Sequence, residues 1–169
     1  IYLGTVCNNV IAMKEETDNI YYKFLHKDES TNEEEFLHNY LQFDISLGLI
    51  LSSTNLPKDN KLIPIIDKIS GVRILKQEIF ECIISFIGSS NNNIERFRKM
   101  LNAFRERFGK LLYEDKEYGK FYSFPKLEEL ENISEDILNS LGFGYRSRYI
   151  VKTVEYMRER PNWINEMEK

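Results

Sequence analysis

Cysteine is scarce in this chain. Its 169 residues hold two, Cys7 and Cys82, too few for a disulfide framework and so against a small cross-linked secreted domain. Histidine is equally rare: His26 and His38 stand alone, and no cysteine or histidine pair has metal-ligand spacing, so no metal site is expected. Four prolines and eight glycines leave no room for a long flexible linker, and neither a repeat nor a low-complexity tract occurs. The longest apolar run falls short of the roughly 18–20 residues that a membrane span needs. The opening IYLGTVCNNVIAMKEE lacks a basic start and a long apolar core, so no signal peptide is expected. Asn132-Ile133-Ser134 is a glycosylation sequon by pattern only. Together these absences predict a reducing intracellular setting, cytosolic or nuclear.

What is present is an ordinary globular composition, 42% hydrophobic and 13% aromatic, enough for one good core or two small lobes. The net charge of −4 is unevenly spread. Residues 1–70 carry 6 basic and 11 acidic side chains (−5), 71–110 carry 8 and 4 (+4), and 111–169 carry 9 and 12 (−3). The total argues weakly against a nucleic-acid partner, but the basic island in the middle matters more for binding phosphates. Solvated helix faces can produce the same local excess.

The pattern along the chain is strands first and helices later. YLGTVCNNVIAM and NIYYKFLH are rich in β-branched and aromatic residues, with KEETDN supplying turn residues between them. STNEEEFLHNYL begins like a capped helix, and ISLGLILSS and LIPIIDKI are shorter helical candidates. Residues 78–88 are apolar almost all round, as a buried central helix should be, with Cys82 as a small hydrophobe inside it. From residue 93 the apolar positions Ile94, Phe97, Met100, Leu101, Phe104 and Phe108 recur at helical spacing, with arginines between them and Gly109 placed to stop the helix. Further helices are predicted at Pro125–Leu130, Ser134–Leu141 and Tyr145 to about Arg160.

Two clusters stand out. SSNNNIERF, residues 89–97, puts three asparagines at the seam between the apolar and the basic helix. Asparagine is a strong N-cap, and a helix N-terminus with free N–H groups suits a phosphate. A plain cap and polar loop would explain it equally. LGFGYRSRYI, residues 141–150, sets two glycines beside Tyr145, Arg146 and Arg148 at another helix start. An aromatic ring there can wedge into a base stack, while a guanidinium makes bidentate bonds to a base or phosphate. Tyr145 and Tyr149, four apart, could instead face a core.

GVRILKQEIFECIISFIGSSNNNIERF (71–97), FPKLEEL (124–130) and LGFGYRSRYI (141–150) together closely resemble the eukaryotic-type 8-oxoguanine DNA glycosylase/AP lyase family of the helix-hairpin-helix superfamily. The resemblance runs over essentially the whole chain, including YLGTVCNNV and YLQFDISL. It implies an α+β fold: a small N-terminal antiparallel sheet lobe, similar to the TATA-binding protein, over residues 1–70. An incomplete, mostly helical lobe over residues 71–169 would pack against it. It also implies base-excision repair of duplex DNA carrying 8-oxoguanine opposite cytosine, by a protein that is a monomer when complete and needs no cofactor. The expected place is the nucleus, with the mitochondrion as a second site, or the cytoplasm in a prokaryote.

Position by position, the family's gap-filling asparagine matches Asn91. Its cytosine-reading arginines match Arg96 and Arg146, and its wedging tyrosine matches Tyr145. The glycine whose carbonyl senses the hydrogen on N7 of the lesion matches Gly4. Members continue into an L-P-G-V-G hairpin, a lysine that attacks the sugar C1′, and an aspartate. No such hairpin occurs here, and the Q-S-F-R-W element of the N-terminal lobe is also missing. The expectation is therefore that this chain holds no catalytic residue, Lys169 included, and is inactive alone. The alternative is a non-catalytic DNA-binding or scaffold domain that keeps the fold.

Overall fold

The structure is a computed structural model and describes residues 1–17, 19–53, 61, 63–68 and 71–167. Asp18 of the expected turn, Ile69 of the LIPIIDKI helix and Lys169 lie outside the described residues. The chain divides into two compact units, Ile1–Glu29 with Gln77–Lys169, and Ser30–Lys76. This differs from a split at residue 70. The N-terminal sheet groups with the later helices because β-strands with one apolar face need a partner layer, and Val6, Val10 and Ile11 are buried there.

The first unit opens with an antiparallel meander, β1 (Tyr2–Val6), β2 (Asn9–Glu16) and β3 (Asn19–His26), in the order β1-β2-β3. YLGTVCNNVIAM is therefore two strands, folded at Cys7 and Asn8, where Cys7 takes a left-handed φ of 53°. The KEETDN turn is also tighter than expected. Lys14, Glu15 and Glu16 stay in β2, paired with Tyr21, Ile20 and Asn19, and the reversal begins at Thr17 with φ 51°. The Asn9 side chain accepts from the Asp28 amide at 3.0 Å and ties down the end of the sheet.

In the second unit, α1 (Glu33–Tyr40) is capped by Asn32, whose side chain accepts from the Glu35 amide, and three glutamates occupy its first turn. α2 (Leu47–Ser53) and α3 (Ile63–Lys68) follow at the expected places. Residues 71–76 return as an extended segment. It is held by Arg73 donating to the carbonyls of Gln42 and Ile45 (2.6 and 2.9 Å) and by the Lys76 amide donating to the Tyr40 carbonyl (2.9 Å).

Back in the first unit come α4 (Ile79–Ser89) and α5 (Ile94–Phe108). α4 is not buried all round: Phe80, Glu81, Ile84 and Gly88 face inward, whereas Phe86 is 80% exposed and Cys82 is on the surface. α5 keeps its predicted amphipathic face through Met100, Leu101 and Phe104, except that Ile94 is exposed. A hairpin that the sequence pattern did not suggest follows, β4 (Leu111–Asp115) and β5 (Gly119–Tyr122). Asp115 shapes its tip by accepting from the amides of Glu117 and Tyr118 (2.7 and 3.0 Å).

A one-turn 3-10 helix at Leu127–Leu130 replaces the expected longer one. Then come α6 (Glu135–Ser140), capped by Ser134, α7 (Arg146–Glu159) and α8 (Trp163–Met167). α4, α5 and α7 enclose a core centred on Phe104, whose ring meets Phe108, Phe124 and Phe143 at 5.1, 5.5 and 5.9 Å. Truncating a ring so placed costs about 3–5 kcal/mol. Beneath it, Glu81 and Arg105 form a largely buried ion pair. That core sets the relative positions of the α4–α5 loop and the start of α7.

Candidate nucleic-acid interface

The α4–α5 loop gives each asparagine a separate task. Asn93 is the N-cap of α5, its side-chain oxygen accepting from the Arg96 amide at 2.9 Å. Asn92 staples the loop to the end of α4 by donating to the Gly88 carbonyl at 3.1 Å, and it lies 3.3 Å from the Met100 sulfur. Asn91 makes the reversal, with φ of 46°, a left-handed conformation that asparagine tolerates better than most residues. It is exposed, so its amide faces solvent at the tip of the loop.

The second cluster follows a helix end built for a sharp change of direction. Gly142 has φ of 92°, its amide donates to the Asn139 carbonyl (3.0 Å), and the Phe143 amide donates to the Leu138 carbonyl (3.1 Å). This is the bonding of a glycine-terminated helix, and buried Phe143 and Leu138 supply the accompanying apolar contact. The chain therefore enters α7 with Phe143 anchored in the core and Tyr145 turned outward, 57% exposed.

The two clusters meet. The Tyr145 hydroxyl donates to the Ser90 carbonyl at 3.3 Å. Arg146 reaches the same carbonyl through Nε (2.8 Å) and Nη2 (2.5 Å), and its Nη2 also donates to the Asn91 carbonyl at 2.8 Å. Nη1 donates to the Phe143 carbonyl at 3.2 Å, and the guanidinium carbon stands 4.5 Å from the Tyr145 ring centre. Arg96, exposed on the first turn of α5, donates to the Gly142 carbonyl at 3.4 Å. Asn91, Arg96, Tyr145 and Arg146 thus gather around one seam between two helix starts.

Arg146 is closed off from solvent. It is only 3% exposed, because carbonyl oxygens from two loops converge on it. Gly4 does not join this group. It sits in β1 opposite Ile11 and lines a different cavity with Tyr2, Glu81, Arg98 and Arg105, and a Cβ there would meet the Tyr2 hydroxyl at 2.7 Å. Arg148 belongs to the second cluster, and Tyr149 does not face a core with Tyr145, as its spacing allowed. Both are exposed and share a shallow depression of about 400 Å³ with Glu135, Asn139, Gly144 and Tyr145. Their signal was the repeat of an exposed aromatic–arginine pairing one turn further along α7.

Chemically, the seam offers an amide, a flat ring and one exposed guanidinium, with a second guanidinium behind them. Anionic and base-edge ligands suit such a set. No carboxylate lies among the four.

Residues 1–83 match the family described as 8-oxoguanine DNA glycosylase, N-terminal domain, and residues 84–165 match the HhH-GPD superfamily of base excision DNA repair proteins. The chain is similar to the N-glycosylase/DNA lyase OGG1 of Arabidopsis thaliana, 33% identical over 98% of this chain and 45% of that protein. It is also similar to the N-glycosylase/DNA lyase of Saccharomyces cerevisiae, 36% identical over 86% of this chain and 39% of that protein. The chain therefore spans less than half the length of these two relatives. Among solved structures, it superimposes on the Clostridium acetobutylicum 8-oxoguanine glycosylase/lyase bound to double-stranded DNA with cytosine opposite 8-oxoG. There the TM-score is 0.77 at 28% identity, covering 94% of this chain and 52% of that one.

Proposed function

The chain belongs to the 8-oxoguanine DNA glycosylase family of helix-hairpin-helix base-excision repair proteins, and from that premise we propose that it is the DNA-reading portion of a glycosylase/AP lyase that removes oxidised guanine paired with cytosine. In this reading it binds duplex DNA while the damaged nucleotide swings out. Extrusion costs a few kcal/mol of unstacking and unpairing. Asn91 fills part of the gap, Tyr145 wedges beside it, and Arg96 and Arg146 take the acceptors of the cytosine left behind. The observation that carries the proposal is the direct bonding of Tyr145 and Arg146 to the Ser90–Asn91 backbone, which makes one surface of two segments 55 residues apart in sequence.

Gly4, which lines a separate cavity with Tyr2, Glu81 and Arg105, is proposed to present its carbonyl to the hydrogen on N7 of the extruded lesion. None of the 169 residues is assigned the nucleophile's role, and the catalytic lysine and aspartate are proposed to lie outside them. The proposed site of action is the nucleus, with mitochondria second. A non-catalytic DNA-binding or scaffold domain that retains the fold is the alternative.

The test is fluorescence anisotropy with duplexes holding an abasic analogue opposite cytosine or adenine, followed by borohydride trapping on an 8-oxoguanine duplex. We expect the chain to prefer cytosine and to give no covalent adduct. Binding indifferent to the opposite base would defeat the reading.

A further inference from the structure

We infer that Arg146 is a specificity exchanger: it holds the Asn91 loop through carbonyl oxygens in the free protein and gives them up only to a base that offers two adjacent acceptors. The inference rests on the function proposed above and concerns how the same seam chooses its base.

A guanidinium has five N–H donors along two edges that can bond bidentately. Here the Nε–Nη2 edge is closed on the Ser90 carbonyl. On the Nη1–Nη2 edge, Nη2 donates to the Asn91 carbonyl and Nη1 to that of Phe143. One Nη1 hydrogen is left over, so neither edge can receive a base as the protein stands. Arg146 is almost wholly enclosed, and a buried cation that leaves its acceptors must find others at once. Reading a base therefore means replacing loop carbonyls by acceptors of equal number and spacing.

On its Watson–Crick edge, cytosine presents O2 and N3 as neighbouring acceptors. Adenine sets an N6–H donor beside N1, guanine sets N–H donors beside O6, and thymine puts N3–H between its carbonyls. Through the Watson–Crick edge, cytosine alone among the four can take over a guanidinium edge without opposing one N–H to another. The exchange also frees the Ser90 and Asn91 carbonyls, and Asn91 sits in a left-handed conformation held partly by that bond. Capture of the right base thus releases the residue that must enter the gap. In the free protein Arg146 is a positioning residue, and in the complex it reads the base. Arg96, already exposed and holding only the Gly142 carbonyl at 3.4 Å, needs no such exchange.

The experiment follows the Arg146 Nε–H resonance by NMR, assigned by its disappearance in Arg146→Lys. The chain is titrated with the two abasic-analogue duplexes, opposite cytosine and opposite adenine. The expected result is a shift of the Arg146 Nε–H and of the Asn91 and Asn92 amides with cytosine only, with the Arg146 signal unmoved by the adenine duplex. Arg146→Lys should lose about tenfold of the cytosine preference, because an ammonium has no bidentate edge. Cytosine-selective binding without any Arg146 shift would make the residue a fixed brace and overturn the exchange alone. Equal shifts with both duplexes would overturn its selectivity. Failure to bind either duplex would overturn the proposed function and this inference with it.

Discussion

The Arg146 guanidinium grips the carbonyl of Ser90, 56 residues earlier in the chain, through Nε at 2.8 Å and Nη2 at 2.5 Å. That contact joins the two helix starts on which the proposed DNA-reading role depends.

Replacing Arg146 with alanine removes it. We expect binding to fall more for duplexes with cytosine opposite the gap than for those with adenine there, by about 1–3 kcal/mol of lost discrimination. Anisotropy titrations at fixed salt measure the difference. Equal losses for both partners would mean that the arginine meets only phosphate.

Gly109 ends α5 where no side chain fits. A Cβ would lie 2.1 Å from the Ser123 carbonyl oxygen and 2.7 Å from that of Arg105, both backbone atoms that cannot turn aside. Gly109→Ala should therefore destabilise by at least about 2–3 kcal/mol. The urea midpoint reports it, with Gly48→Ala as a comparison at a position without a left-handed φ, where a Cβ meets nothing nearer than 3.9 Å.

The two cysteines should react very differently. Burial, followed by the nearby carboxylates of Glu78 and Glu81, pushes the Cys7 thiol up to about 11. At pH 8 the thiolate there is roughly one in a thousand. Cys82 is raised as well, by burial and the same glutamates, but it stands on the surface of α4. Iodoacetamide followed by peptide mass spectrometry should find Cys82 modified first and Cys7 protected until the chain unfolds.

Glu129 links the 3-10 helix to the base of the hairpin, accepting from the Lys126 amide at 2.8 Å and pairing with Lys110 at 2.9 Å. Burial raises its pKa, but the bonds from Lys110 and the Lys126 amide outweigh it, and the net shift is downward from 4.5. A carboxylate depressed on folding stabilises the fold above its unfolded pKa, and that contribution is lost as pH falls through the folded value. Glu129→Gln should cost about 1 kcal/mol near neutrality. In thermal melts, its deficit against the parent should close as pH falls below 4.5.

The sequence carried the helix periods, the caps at Asn32, Asn93 and Ser134, and the α+β order of the family. It hid the turn at Cys7 because no glycine or proline marks it, only two polar residues willing to reverse. The β4–β5 hairpin was missed between two strong helical patterns because LLYEDKEYGKFY does not alternate, and only its aromatics and a turn glycine mark it. Composition said that α4 was apolar all round and could not say which side would be covered, so Phe86 and Cys82 came out exposed. Arg146 was legible as a functional residue but not as a buried one. A charge is assigned to solvent by default, and only the three-dimensional approach of the Ser90, Asn91 and Phe143 carbonyls could reverse that.

The close fit at Gly109 also divides the hairpin into a welded root and a free crest. Lys116, Glu117 and Tyr118 stand in solvent beyond the Asp115 turn, while the root is pinned to α5. A fluorophore or affinity handle grafted at Lys116 would therefore ride on a rigid mount and leave the seam around Asn91 untouched.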